Sequence, residues 1–138
     1  VYDTTTGAGT KDGSSWANAM SNLQYAVYCA ASFDTKPQVW VKADTYTALS
    51  GATAVLILPE GIEIYGAFAG TETELGQRDL STNKTILDGE GINNVLRQLE
   101  DFTASTATVI DGFTIQNAYS TTYGAAANLK DYTTAERL

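Results

Sequence analysis

The sequence predicts a mainly β protein whose strands wind into a parallel β-helix, and an internal repeat is the main observation behind this prediction. Four short β-rich segments follow one another at intervals of 23 residues, beginning at Val39, Ile62, Thr85 and Thr108. In each segment the third position is aliphatic and the fifth is small. A fixed period of this size is typical of solenoids, in which each unit buries its apolar face against its neighbours.

Two further observations separate this prediction from other repeat architectures. No helix-like apolar spacing lies between successive segments, which argues against βαβ units, and the pattern of leucine-rich repeats is absent. Equivalent residues of neighbouring coils should then stack about 4.8 Å apart, which is the spacing of paired strands. The residues predicted to form this interior column are Val41, Ile64, Leu87 and Ile110.

Residues 1–37 are predicted to form an N-terminal arm and a capping α-helix. The helix is expected from Ser21 to Ser32, with Ser21 as N-cap and Gln24 completing a capping box. Its apolar residues have the spacing of an amphipathic helix, and they are Leu23, Ala26, Val27, Ala30 and Ala31. Because exposed strand edges invite association, a helix placed before the first coil should cover that end.

Residues 38–138 are predicted to form about four coils of one domain that spans residues 1–138. A polar excursion, Gly70 to Lys84, interrupts the second coil. No helix, proline or charged run follows the last coil, so its strand edge should be open. We expect that the coils continue beyond residue 138, or that a protein partner or a second copy covers this edge.

Composition excludes several classes of partner. The net charge is -8, and the sequence has no histidine and no basic cluster. Nucleic-acid binding requires Lys and Arg that neutralise phosphates, and binding to anionic membrane surfaces also requires basic segments. The composition therefore argues against nucleic acid and against an anionic membrane surface as partners. No apolar run approaches the length of a membrane span. The single cysteine, Cys29, cannot form an internal disulfide.

Several motifs, in this order, resemble the N-terminal portion of secreted right-handed parallel β-helix repeat proteins of Bacteroidetes and related bacteria, including polymorphic outer-membrane-type surface proteins. The motifs are Asp12-Gly13-Ser14-Ser15-Trp16-Ala17-Asn18-Ala19, Leu23-Gln24, Ala43-Asp44-Thr45-Tyr46, Ile64-Tyr65-Gly66-Ala67-Phe68-Ala69-Gly70-Thr71-Glu72-Thr73, Gln77-Arg78-Asp79, Thr85-Ile86-Leu87-Asp88-Gly89 and Asp111-Gly112-Phe113-Thr114-Ile115. The sequence departs from the family where Ala43-Asp44 and Ala67 replace the more usual glycine, and members normally continue through many more coils. The resemblance implies a right-handed coil and an extracellular or cell-surface bacterial protein, but the same scaffold carries lyases, hydrolases and adhesins.

Asp88 and Asp111 are the candidate metal-binding residues. They lie one 23-residue period apart and are predicted to point outward, so that their carboxylates would stack and repel unless something compensates. A bound cation such as Ca²⁺ would offset this repulsion. The favoured interpretation is that each carboxylate instead accepts backbone hydrogen bonds within its own Asp-Gly turn. Neither Arg78 nor Arg97 is predicted to lie in the column that contains Asp88 and Asp111. Both arginines are predicted to form surface ion pairs with nearby acids, namely Glu72, Glu74, Asp79 or Glu100.

Four tyrosines are the candidate glycan contacts, because sugar rings stack on exposed aromatic faces. Tyr65 is expected to face outward by register, and Tyr46, Tyr119 and Tyr123 lie near turns. No catalytic residue is predicted, since histidine is absent and no serine-based or transition-metal site can be assembled.

The sequence therefore favours a non-catalytic extracellular or cell-surface module with a structural or adhesive role and no resident cofactor, for which a polysaccharide or surface glycan is a candidate partner. Two alternatives stay open. One is the N-terminal fragment of a polysaccharide lyase or hydrolase whose catalytic coils lie beyond Leu138. The other is a subunit of an extracellular protein assembly.

Overall fold

The computed structural model describes residues 1–103, 106–122 and 124–129. The chain is mainly β, and its sheets are parallel. The strands are β1 (Tyr2–Asp3), β2 (Val39–Lys42), β3 (Thr45–Thr47), β4 (Ala54–Ile57), β5 (Glu63–Phe68), β6 (Thr85–Asp88), β7 (Asn94–Arg97), β8 (Val109–Asp111), β9 (Phe113–Gln116) and β10 (Ala127–Asn128). One α-helix, α1 (Leu23–Ala31), and two 3₁₀ turns, Trp16–Asn18 and Leu75–Gln77, complete the elements of these residues.

The strands form three sheets. Sheet A has the order β1-β2-β5-β8, sheet B has β3-β6-β9, and sheet C has β4-β7-β10. Every pair of neighbouring strands is parallel. From β2 onward, successive strands therefore visit sheets A, B and C in fixed rotation, and this rotation occurs three times.

The predicted 23-residue column is wrong. Ile64 pairs with Val39 on one side and with Ile110 on the other, all in sheet A, whereas Leu87 lies in sheet B between Tyr46 and Ile115. The spacing between paired residues is also uneven, with 25 residues from Val39 to Ile64 and 46 from Ile64 to Ile110. Three of the four repeated segments end a strand before a small residue, at Lys42 and Asp111 in sheet A and at Asp88 in sheet B, whereas Gly66 of the remaining segment lies inside β5.

Within the described residues the rotation through the three sheets is made three times, whereas about four coils were predicted for residues 38–138. Strand β6, Thr85–Asp88, was expected to open a third coil, but it is the second strand of the second pass. The reason is the long connection between β5 and β6, which adds residues to this pass without adding a strand.

The main core lies between the sheets and one face of α1. Its residues are fully or nearly fully buried and almost all aliphatic, and they include Leu23, Val27, Val39, Val41, Leu56, Ile62, Ile64, Leu87, Val95 and Leu96. Burying each such side chain contributes roughly 1.5–3 kcal/mol, so this cluster is the principal source of stability.

Helix α1 begins two residues later than predicted. Its N-cap is Asn22, whose side-chain oxygen accepts a hydrogen bond from the backbone N–H of Tyr25 at 2.9 Å, and not Ser21. Asn and Ser are equally good N-caps, and the neighbouring Asp3 carboxylate accepts the backbone N–H of Asn22 at 3.1 Å. The predicted buried stripe is confirmed for Leu23, Ala26, Val27 and Ala30.

Gln24 forms no capping box. Its side-chain amide instead bonds both backbone groups of Ile57 in β4: the Ile57 N–H donates to Oε1 at 2.6 Å, and Nε2 donates to the Ile57 carbonyl at 3.0 Å. Because β4 is the edge strand of sheet C, this one side chain occupies hydrogen-bonding groups that an added strand would use. In the part of the chain that is described, no helix has both the length and the apolar character needed to span a membrane.

Candidate functional site

The outer side of sheet A carries an aromatic cluster of Tyr2, Trp16, Trp40, Tyr65 and Phe68. Tyr2, Trp40 and Tyr65 are neighbours in strand register, and Trp40 points away from the core because Val39 and Val41 on either side of it point inward. The rings of Trp40 and Phe68 stack with centroids 4.7 Å apart, and Trp16 lies 4.8 Å from Tyr2 and 5.4 Å from Phe68. These rings mostly contact one another.

A bulge in β5 brings Phe68 into this cluster. The register with β2 shifts between Trp40 and Lys42, and Ala67 adopts φ +69°. This left-handed conformation favours glycine, so an alanine here adopts it at some cost. The Ala67 N–H donates to the Thr85 hydroxyl at 2.9 Å, which holds the bulge against sheet B.

Arg78 closes one side of the aromatic cluster. Its guanidinium lies 5.0 Å from the centre of the Tyr65 ring, and its Nη2 donates to Oδ2 of Asp111 at 2.8 Å. Nε also donates to the Leu75 carbonyl at 3.2 Å. The predicted pairing of Arg78 with acids near it in sequence is wrong, because the excursion folds back over sheet A and meets β8 instead.

Tyr65 is half-buried, and its hydroxyl group is also engaged in a hydrogen bond. Its hydroxyl donates to Oε2 of Glu63 at 3.1 Å, and the same oxygen accepts Nε2 of Gln38 at 2.8 Å. Burial and the hydrogen bond to Glu63 both raise the pKa of Tyr65. Register places Tyr65 on the outer face as predicted, but the guanidinium covers one face of the ring that a sugar would need.

Asp88 and Asp111 do not stack, because β6 belongs to sheet B and β8 to sheet A. The predicted turn hydrogen bond is present at Asp88, whose Oδ1 accepts the N–H of Glu90 at 2.8 Å, and Gln116 donates to Oδ2 at 2.8 Å. The hydrogen bonds from Gln116, Glu90 and Asn117 hold the pKa of Asp88 below its usual value. Among the described residues, no three His, Cys, Asp or Glu side chains are grouped as metal ligands would be.

Tyr46 does not present its ring to solvent in the way that the sequence suggested. Tyr46 was expected to be exposed near a turn, but only 6% of it is exposed, and its hydroxyl donates to the Lys42 carbonyl at 3.0 Å. The short strand β3 turns this ring inward, and burial raises its pKa. Tyr123 lies outside the described residues.

Tyr119 is the candidate glycan contact with an available ring, since half of it is exposed. It lines a cavity of about 680 Å³ beside sheet C. We name this cavity the sheet C cleft and define it by six of its lining residues: Thr53, Ile92, Asn94, Arg97, Tyr119 and Asn128.

Backbone hydrogen bonds fix the position of Tyr119. The N–H of Tyr119 donates to the Asn93 carbonyl at 2.9 Å, and the N–H of Gly91 donates to the Asn117 carbonyl at 2.8 Å. Asn117 has φ +49°, a left-handed conformation that asparagine tolerates better than most residues. These bonds attach the segment after β9 to the turn before β7, so the ring stands over the cleft.

Arg97 supplies the cleft with its one positive charge among the described lining residues. It is paired in register with Asn128 of β10, and its Nη1 donates to the Thr53 hydroxyl at 2.8 Å. The prediction of an ion pair with a nearby acid such as Glu100 is wrong for the described residues, in which the salt bridge formed is that of Arg78. Sequence reasoning missed this cleft because Thr53, Arg97, Tyr119 and Asn128 lie far apart in the chain.

Comparisons of the chain with protein-family models, with curated proteins and with solved structures found no match.

Proposed function

We propose that this chain is a parallel β-helix module of the cell surface or extracellular space, and that it binds a glycan at the sheet C cleft without catalysing a reaction. The fixed rotation of strands through three parallel sheets supports the β-helix, because one coil contributes one strand to each sheet. Helix α1 acts as a cap in this proposal, since it packs against β1, β2 and β4 and its Gln24 occupies the edge at Ile57.

The observation that carries the binding function is the half-exposed Tyr119 ring beside the side-chain amide of Asn128 in a cleft of about 680 Å³. Sugar rings offer C–H faces to an aromatic ring and hydroxyl groups to amides. The side-chain amide of Asn128 forms no hydrogen bond with any described residue, and Ile92 adds an apolar wall that is 70% exposed. Pockets that bind small molecules combine apolar walls with a few such polar groups.

The outer side of sheet A is the weaker candidate for the same role. Its rings pack against each other and against Arg78, so that a bound sugar would have to displace contacts that already exist. The proposal therefore assigns a structural role to Tyr65 and the contact role to Tyr119.

A glycan array followed by titration calorimetry with the best-binding oligosaccharide tests this proposal. Tyr119→Ala should weaken binding about five- to tenfold, because an aromatic stacking contact contributes about 1 kcal/mol. The matched control is Tyr28→Ala, which removes a ring of similar exposure, 45%, from helix α1. Equal affinity of the two variants, or no binding of the unaltered chain to any glycan, would contradict the proposal.

A further inference from the structure

The charge in the sheet C cleft identifies the class of glycan that it should bind. Arg97 is a cation without an acidic partner among the described residues, and no Asp or Glu occurs in the described lining of the cleft. The chain as a whole has a net charge of -8, and its acidic side chains are twice as numerous as its basic ones. The other guanidinium among the described residues, that of Arg78, pairs with Asp111.

The geometry of Arg97 suits a ligand with an anionic group. Its Nη1 is committed to the Thr53 hydroxyl at 2.8 Å, and its other N–H donors have no partner in the described part of the chain. The bond to Thr53 uses one N–H of the guanidinium and leaves the other donors for a planar carboxylate or for a sulfate. A lysine at this position would lack the planar, forked arrangement of N–H donors that a guanidinium has. In the absence of a ligand, water satisfies the free donors of Arg97.

We infer that the sheet C cleft recognises an acidic glycan, with Arg97 bonding a carboxylate or sulfate group while Tyr119 stacks on a sugar ring. This inference rests on the function proposed above and adds the substrate class to it. The carboxylate and the sulfate share the chemistry that Arg97 offers, and binding experiments distinguish them.

The overall charge of the chain limits how acidic the glycan is. A densely charged polyanion would extend beyond the cleft over a surface of net charge -8, and the resulting repulsion acts over about 10 Å at 0.1 M salt. A glycan with widely spaced acidic groups gains the contact with Arg97 and avoids most of this repulsion. The ligand class is therefore a sparsely acidic oligosaccharide.

The test uses the full chain on an array in which the same neutral backbones occur unmodified, with a carboxylate and with a sulfate. The acidic members should bind at least about tenfold more tightly than their neutral parents, which corresponds to one charge-assisted contact. Arg97→Gln should remove this preference, whereas Arg97→Lys should retain part of it. Lys84→Gln is the control, because it makes the same change in net charge at an exposed residue outside the described cleft lining.

The outcomes separate the two proposals. Binding of neutral and acidic glycans with equal affinity would overturn the inference about Arg97 and leave glycan binding itself intact. No glycan binding at all would overturn both. A preference for acidic glycans that Lys84→Gln reduces as much as Arg97→Gln does would assign the effect to net charge and overturn the role of Arg97. Tighter binding of heparin than of every sparsely charged glycan at low salt would overturn the limit on charge density.

Discussion

Two regions of this molecule contain an arginine near a tyrosine, and they use the same residue types in opposite ways. On the outer side of sheet A, Arg78 lies over the Tyr65 ring and pairs with Asp111 at 2.8 Å. In the sheet C cleft, Arg97 has a hydroxyl as its partner and Tyr119 has an exposed ring. Arg78 and Tyr65 are thus occupied by contacts within the chain, whereas Arg97 has free N–H donors and Tyr119 has an exposed aromatic face.

The difference follows from the connections that reach each region. The segment between β5 and β6 folds back over sheet A, so Arg78 meets Asp111 and the Trp16 indole donates to the Glu72 carbonyl at 2.9 Å. Beside sheet C the described connections contribute Thr53 and Tyr119 but no carboxylate. A charged side chain thus stabilises the fold where a carboxylate reaches it, and is available to a ligand where none does.

The largest expected effect comes from the aromatic cluster. Phe68→Ala removes a fully buried ring, which should lower the free energy of unfolding by about 3–5 kcal/mol. Ile92→Ala, in the cleft, removes a side chain that is 70% exposed and should change it by less than about 0.5 kcal/mol. Urea denaturation followed by tryptophan fluorescence measures both values, and similar values for the two variants would contradict the division between a structural face and an open cleft.

A smaller effect is expected from Asp3, at the covered edge of sheet A. The carboxyl is fully buried, its Oδ2 has no partner among the described residues, and burial raises the pKa to about 7. The folded chain holds this proton between pH 4 and 7 and the unfolded chain releases it, so the free energy of unfolding should fall as pH rises through this range and then level off.

Asp3→Asn should abolish this fall and make the chain more stable at pH 8 by about 2–4 kcal/mol. Asparagine retains an acceptor for the N–H of Asn22, which keeps the local hydrogen bond. Subtracting the unfolding free energies of the two proteins at each pH cancels the other carboxylates. A difference that stays constant from pH 4 to 8 would show that Asp3 does not titrate in this window.

The smallest effect on the free energy of unfolding is expected when the same substitution, arginine to glutamine, is made in each of the two regions. Arg78→Gln should lower the free energy of unfolding by about 1–2 kcal/mol, because this side chain is only 12% exposed and loses its contacts with Asp111 and Tyr65. Arg97→Gln, which loses one hydrogen bond to Thr53, should change it by no more than about 0.5 kcal/mol. A double-mutant cycle of Arg78→Gln with Asp111→Asn measures the ion pair, and absence of coupling would contradict its stabilising role.

Local features of the sequence predicted local structure well. The buried stripe of α1 follows from the 3.6-residue periodicity, and the strand at Thr85–Asp88 follows from alternation before a glycine. The assignment of strands to sheets did not follow, because Leu87 and Ile64 lie in similar local sequences, although a short connection precedes β5 and a long one precedes β6. The 25- and 46-residue separations along sheet A result from those connections and not from the strands.

The candidate site was still harder to predict. Asp88 and Asp111 were prominent because they recur in similar motifs, yet one is bonded by Gln116 and the other by Arg78. Arg97 and Thr53 have no motif, and the parallel pairing of β4 with β7 brings them together across 44 residues. Tyr119 was identified because aromatic residues near turns are often exposed, a rule that failed for Tyr46.

The side-chain amide of Gln24 also affects whether another strand can add to sheet C at its β4 edge. Both main-chain groups of Ile57 are already bonded, so another polypeptide that tried to lengthen the sheet from this side would find no complementary donor and acceptor at that residue. Fibril growth across this boundary would first require the helix to detach, with the loss of its buried apolar stripe. Gln24→Ala would free the two main-chain groups of Ile57, while the packing of the helix against β4 would still oppose an added strand.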